Sequence, residues 1–214
     1  MAEEIVDIFD ENYRHLGVST KSEARKNGNW IQSIHVWIVN PTEKGYVLFQ
    51  KRGQHKKIYP NALDISAAGH YKAGEKIEDG VREISEELGL SVSFTELVPL
   101  GVKLDIGKVG ENIIHEFCHT FLLKSELKLE DYEFVDGEVE GLVRIAIEDG
   151  LALFSGKINE VVVNGIEWNS ETKEYRSINL PVNTDLFIPR IDSYYYKVFI
   201  MAKLFLQGEK CLAI

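Results

Sequence analysis

GHYKAGEKIEDGVREISEELGL, residues 69–90, crowds Glu75, Glu78, Asp79, Glu83, Glu86 and Glu87 into one turn and one helical segment. Like charges this close repel, so something must oppose the repulsion or water must screen it. Ile77, Val81, Ile84 and Leu88 recur at helical spacing, which predicts a helix over 76–88 with its apolar face on a sheet. Glu83, Glu86 and Glu87 stand at i, i+3 and i+4 on the opposite side and point into one region of space. Gly89 suits the left-handed residue that ends a helix. A solvated acidic face costs only roughly 0.2–0.5 kcal/mol per like-charge pair. The sharper reading is a hard divalent cation such as Mg²⁺, which takes clustered carboxylate oxygens and keeps waters and phosphate in its shell.

Working outward, SIHVWIVN (33–40) is nearly all apolar and predicts a strand buried on both faces. GYVLFQKRG (45–53) is its returning strand, HKKIYPNALD (55–64) a loop and DISAAG (64–69) a short strand. Residues 97–105 and 112–124 read as a strand pair around GKVGEN, and 141–147 as another strand. IVDIFDENYRHLG (5–17) reads as a hairpin, and IEDGLALFSG as a short helix stopped by Gly156. Beyond it, 161–183 holds strand-like runs with two turn signals, Asn164-Gly165 and NSETK. From Asp192 the pattern is helical: Tyr195, Val198, Phe199, Ala202, Phe205 and Leu206 share a face, and Gly208 is the stop.

The formal net charge is −10 over 214 residues. Such a surface argues against nucleic-acid binding, which needs basic surface to neutralise phosphates. No apolar run is long enough for a membrane span, and the acidic N-terminus does not read as a signal peptide. Cys118 and Cys211 have no metal-ligand spacing. A cytoplasmic protein is the expectation.

Gly69, Glu75, Arg82, Glu83, Ile84, Glu86, Glu87, Gly89 and Leu90 resemble the Nudix box. The chain departs from that pattern once: only KIEDGV separates Glu75 from Arg82, one residue fewer than the family has. The shortening is expected in the turn entering the helix. Gly80 also stands where a helix prefers Ala, at about 1 kcal/mol. The resemblance implies an α/β class, a Nudix α/β/α sandwich with a mixed β-sheet. An N-terminal hairpin and a C-terminal helical extension are expected with it, the Nudix domain over 1–155 and the extension, 156–214, packed on it. It further implies Mg²⁺, or Mn²⁺ in its place, and water attack on phosphorus in a small diphosphate. Glu83 and Glu87 would be ligands, with Glu86 assisting and the Ala68 carbonyl as a further donor. Arg82 would orient Glu83 through a charge-assisted hydrogen bond. A homodimer is compatible with all of this.

QKRGQHKKIYPNALDISAAGHYKAGE resembles the branch related to isopentenyl-diphosphate isomerase. Lys51, Arg52, Lys56 and Lys57 match its basic positions and would face a diphosphate. The isomerase's cysteine is replaced by Ala68; Gln32 and Ile114 stand where metal ligands are expected, while His70 and Glu116 match theirs. Isomerisation needs a proton donor and acceptor on opposite faces of an alkene, so a hydrolase is the better reading. Glu116 lies mid-strand, where a charge must be paired or face a cleft or metal. A non-catalytic diphosphate-binding domain and an isomerase-like enzyme are the alternatives. Glu138 and Glu140 read as surface residues, His35, His115 and His119 as histidines satisfied by hydrogen bonds, and Trp37 and Tyr59 as core or cleft wall.

Overall fold

The computed structural model describes residues 3–56, 58–134, 138–169 and 171–214. Strands β1 (Ile5–Phe9) and β2 (His15–Thr20) form the N-terminal hairpin, apart from the main sheet. Helix α1 (Lys21–Asn27) follows, capped at its start by the Thr20 hydroxyl, which accepts from Glu23 N at 3.3 Å. Gly28 closes it with φ 71°.

The apolar run becomes β3 (Ile31–Asn40), and β4 (Tyr46–Arg52) returns beside it. The stretch expected as one short strand divides. β5 (Leu63–Asp64) pairs with β4, whereas β6 (Ala67–His70) pairs with β3. Strands β3 and β4 meet only at Val39↔Val47 and Asn40↔Tyr46 and then splay apart. A fork therefore opens between β4–β5 and β3–β6.

Helix α2 (Arg82–Leu88) comes next, then β7 (Leu97–Val109) and β8 (Asn112–Lys124). The latter runs parallel to β3, and the other pairings are antiparallel. β9 (Val139–Ala146), α3 (Ile147–Phe154), β10 (Val161–Asn169), β11 (Glu174–Val182) and α4 (Tyr194–Leu206) complete the described elements. The sheet runs β11-β10-β9-β4-β3-β8-β7, with β5 and β6 off that path. The residues after 155 thus supply two strands of this sheet as well as a helix. Asn164-Gly165 is not a turn: both lie inside β10, paired with Arg144 and Val143. A side chain on Gly165 would stand 2.5 Å from the Leu142 carbonyl, so glycine here serves close strand approach.

Two cores cover the two faces. Ile84 and Leu88 of α2 pack with Ile34, Val36, Ile38 and Leu48. Tyr194, Val198 and Phe199 of α4 pack with Trp37, Val39 and Phe49. Alternate residues of β3 feed opposite cores, as strand geometry requires. Among the described residues no helix is long and apolar enough to cross a membrane.

Candidate functional site

The acidic segment does not make one helix from residue 76. Ile77–Val81 winds as a 3-10 helix, and the α-helix begins at Arg82. A 3-10 helix rises about 2.0 Å per residue against about 1.5 Å. A connection one residue short therefore still spans the distance. Glu75 stays in reach of Arg82, whose Nε and Nη2 donate to it at 3.1 and 3.0 Å. Ile77, expected on the apolar face, is 37% exposed, because the tighter winding turns it out. Gly80 is buried, and a Cβ there would meet the Tyr71 ring at 2.8 Å and Ile34 at 2.9 Å. Packing, not an oversight in helix propensity, accounts for that glycine.

Glu83 and Glu87 converge on β6; Glu86 does not. At about 100° per residue, Glu87 lies about 40° from Glu83 while Glu86 lies about 60° the other way. Glu87 is buried, and its Oε2 accepts from Ala68 N at 2.9 Å and from Gln50 Nε2 at 3.3 Å. Glu83 lies against Gly69, where any side chain would overlap its carboxylate. Glu86 stays half-exposed and pairs with Arg82 at 2.8 Å. Arg82 also binds Glu83 at 2.7 Å, so one guanidinium gathers Glu75, Glu83 and Glu86. Burial would lower the Arg82 pKa, but these carboxylates outweigh it and raise it further. Ala68 approaches through its N–H, which donates to Glu87.

The electrostatics suit a divalent cation. Burial, with Glu83 adding to it, pushes the Glu87 carboxyl up to about 8, against the Ala68 hydrogen bond. Burial also raises Glu83, against the pull of Arg82. Two hard carboxylates beside a glycine cradle, both disfavoured as anions, are a donor set that a divalent ion would stabilise.

Glu116 is tied to Arg25 and His70. Its Oε1 accepts from Arg25 Nη2 at 2.9 Å and lies 3.1 Å from His70 Nε2. Burial pushes its carboxyl up, but His70 and Arg25 outweigh that and hold it well below the usual range. Arg25, on the short α1, carries no sequence signal that would have singled it out.

The described basic positions, Lys51, Arg52 and Lys56, are ion-paired. Lys51 binds Glu167 and Lys56 binds Glu138 at 2.9 Å. Arg52 donates to Asp64 at 3.0 Å and to the carbonyls of Ile58 and Tyr59, both at 3.2 Å. Glu140 accepts from Gln54 N at 2.8 Å, so both nearby glutamates tie this loop down. Lys57 lies outside the described residues. Sequence reasoning missed Gln50, Asp64 and Arg190. Arg190 Nη2 donates to Asp64 at 3.2 Å, and its Nη1 pairs with Asp105.

His35, Asp105 and Cys118 also bring ligand-type atoms within 4.8 Å of one another. Lys103 and Arg190 both pair with Asp105, and His35 Nδ1 lies 2.9 Å from the Tyr194 hydroxyl. These cations oppose a metal there. His115 Nδ1 lies 2.9 Å from the Gly28 carbonyl and His119 Nε2 3.1 Å from the Tyr13 hydroxyl, so both have structural partners.

The family model of the NUDIX domain matches residues 30–159. An uncharacterized Nudix hydrolase of Clostridium acetobutylicum is 38% identical over 196 residues, 91% of this chain and 95% of that protein. A match of that length extends into the C-terminal tail. An isopentenyl-diphosphate Delta-isomerase of Salmonella arizonae is 30% identical over 142 residues, 64% of this chain and 76% of that one. Among solved structures, a Deinococcus radiodurans protein superposes with a TM-score of 0.54 at 23% identity, covering 72% of this chain and 90% of its own.

Proposed function

This chain belongs to the Nudix hydrolase family, and on that premise we propose that it is a Mg²⁺-dependent pyrophosphohydrolase, with Mn²⁺ able to replace Mg²⁺. It opens the diphosphate linkage of a small organic or nucleoside-type substrate by water attack on phosphorus. The observation that carries this reading is the convergence of Glu83 and Glu87 on Gly69 and Ala68. These two carboxylates would hold the metal, with Glu86 at the rim and the Ala68 carbonyl assisting. When bound, a divalent ion neutralises phosphate oxygens and activates a water.

The chain's own residues set the geometry. Arg82 fixes Glu83 and Glu86 from one side. Gln50 and Ala68 N hold Glu87 from the other. On β4 Arg52 shares the face of Gln50 and Lys51 takes the opposite one, so substrate phosphates would meet Arg52 beside the carboxylates and Lys51 from the other face. Lys56 and Lys57 extend that basic run. Glu116 we assign to Arg25 and His70 rather than to the metal. The Ala68 side chain carries no acidic proton, so isomerisation is not part of the proposal. An acidic surface and free cysteines support a cytoplasmic setting without nucleic-acid or membrane partners.

The test is Glu87→Gln against a panel of nucleotide sugars, dinucleotides and prenyl diphosphates with Mg²⁺. Cleavage by the native chain and loss of about 10²–10³-fold or more in the variant, with the thermal midpoint kept, is the expected result. Equal turnover in both would refute the assignment.

A further inference from the structure

We propose that Arg190, carried by the C-terminal segment, is a substrate-binding residue that contacts the diphosphate from the face of the sheet opposite α2. The proposal rests on the pyrophosphohydrolase reading and adds a residue from outside the sequence motif.

The fork between β4–β5 and β3–β6 is reached from both sides. From one side α2 sends Glu87 to Gln50 and Ala68. Gln50 is the register partner of Asp64. Asp64 in turn takes Arg52 on Oδ2 at 3.0 Å and Arg190 on Oδ1 at 3.2 Å. One carboxylate thus holds two guanidiniums next to the catalytic glutamate. Arg190 comes from the other side, since the neighbouring Tyr194 and Tyr195 belong to the core opposite Ile84 and Leu88.

Arg190 is held on two carboxylates, Asp64 and Asp105, yet its Nε is buried with no acceptor among the described residues. A buried guanidinium N–H without an acceptor is costly, and such orphans point to a ligand or ion. Asp105 is itself shared with Lys103, and Lys103 lies 3.8 Å from Asp192 at the rim. Arg52, Arg190 and Lys103 thus meet Asp64, Asp105 and, at the rim, Asp192, so the charges of the cluster balance. Acceptor-rich phosphate oxygens suit the orphaned donor, and two guanidiniums held on one carboxylate suit two adjacent phosphates.

The experiment is calorimetric binding of methylenediphosphonate and of inorganic phosphate with Mg²⁺, on the native chain and on Arg190→Gln, Arg190→Lys and Ile191→Gly. Binding is read without turnover, so a failed hydrolase assay and a failed Arg190 contact are separate results. Arg190→Gln is expected to weaken methylenediphosphonate by at least about tenfold and phosphate less, so the preference for the diphosphate falls. Arg190→Lys, which keeps the charge but not the fork, should fall between and serves if the Gln variant does not fold. Ile191→Gly alters an exposed neighbour on the same segment and should keep the native preference. A native preference in Arg190→Gln or Arg190→Lys, or an equal loss in Ile191→Gly, would overturn the proposal.

Discussion

Gly69 bears no side chain because the Glu83 carboxylate occupies the place where one would begin. Glycine at this position is a steric condition for the carboxylate to reach β6. Gly69→Ala should displace Glu83 by about an ångström and lower activity by about 10²-fold. The change in thermal midpoint should be small, since Glu83 can swing toward solvent. Full activity in the alanine variant would show that Glu83 works from another position.

Gly80 invites the opposite intuition. Helix propensity alone says that alanine there stabilises by about 1 kcal/mol. The contacts at 2.8 Å to Tyr71 and 2.9 Å to Ile34 say that it destabilises, by about 1–3 kcal/mol for an overpacked site. Denaturant unfolding of Gly80→Ala gives the sign directly, and a gain would mean that Tyr71 moves freely.

Arg82 draws three carboxylates together. Arg82→Ala should cost about 2 kcal/mol through lost charged hydrogen bonds and lower turnover as Glu83 is released. Arg82→Lys restores charge without the fork and should recover only part of either loss. Complete recovery by lysine would reduce the role of Arg82 to that of a point charge.

Burial, with Glu83 beside it, disfavours Glu87 as an anion, which a bound cation would offset. Glu87→Gln should therefore be at least as stable as the native chain without metal. Added Mg²⁺ should raise the native midpoint, since a ligand specific to the folded state stabilises it, and leave the variant's unmoved. Equal Mg²⁺ shifts in both would place the ion elsewhere.

Burial, with Arg190 beside it, holds the His35 imidazole down to about 3 from its ordinary 6.5. Unfolded, it takes a proton near the ordinary value; folded, it stays neutral. Its contribution to stability is present above about 6.5 and is lost as pH falls toward about 3. The slope is at most about 1.4 kcal/mol per pH unit. Asp105, lowered by Arg190 and Lys103 against burial, contributes in the same direction. Only the comparison with His35→Gln isolates the histidine: the variant should lose less stability across that window, and parallel profiles would sink the idea.

Residues 69–90 made the helix, its acidic side and its glycine stop legible, because a period of about 3.6 residues is a local property of the chain. The apolar run of β3 and the amphipathic α4 were readable for the same kind of reason. The start of α2 was not, since packing of Gly80 against Tyr71 and Ile34 chose the tighter winding there. Asn164-Gly165 misled because its glycine answers to a neighbouring strand rather than to a turn.

By itself the sequence determined which segment carries the carboxylates and what class of ion and bond they suit. Tertiary structure alone decided that β6 lies against the Glu83 and Glu87 side of the helix and not the Glu86 side. It also brought Arg190 to Asp64 across 126 positions and Arg25 to Glu116 across 91. Side-chain direction along one element follows from backbone geometry that neighbouring residues encode. Partners so far apart are set by how the strands cross, which no local pattern records.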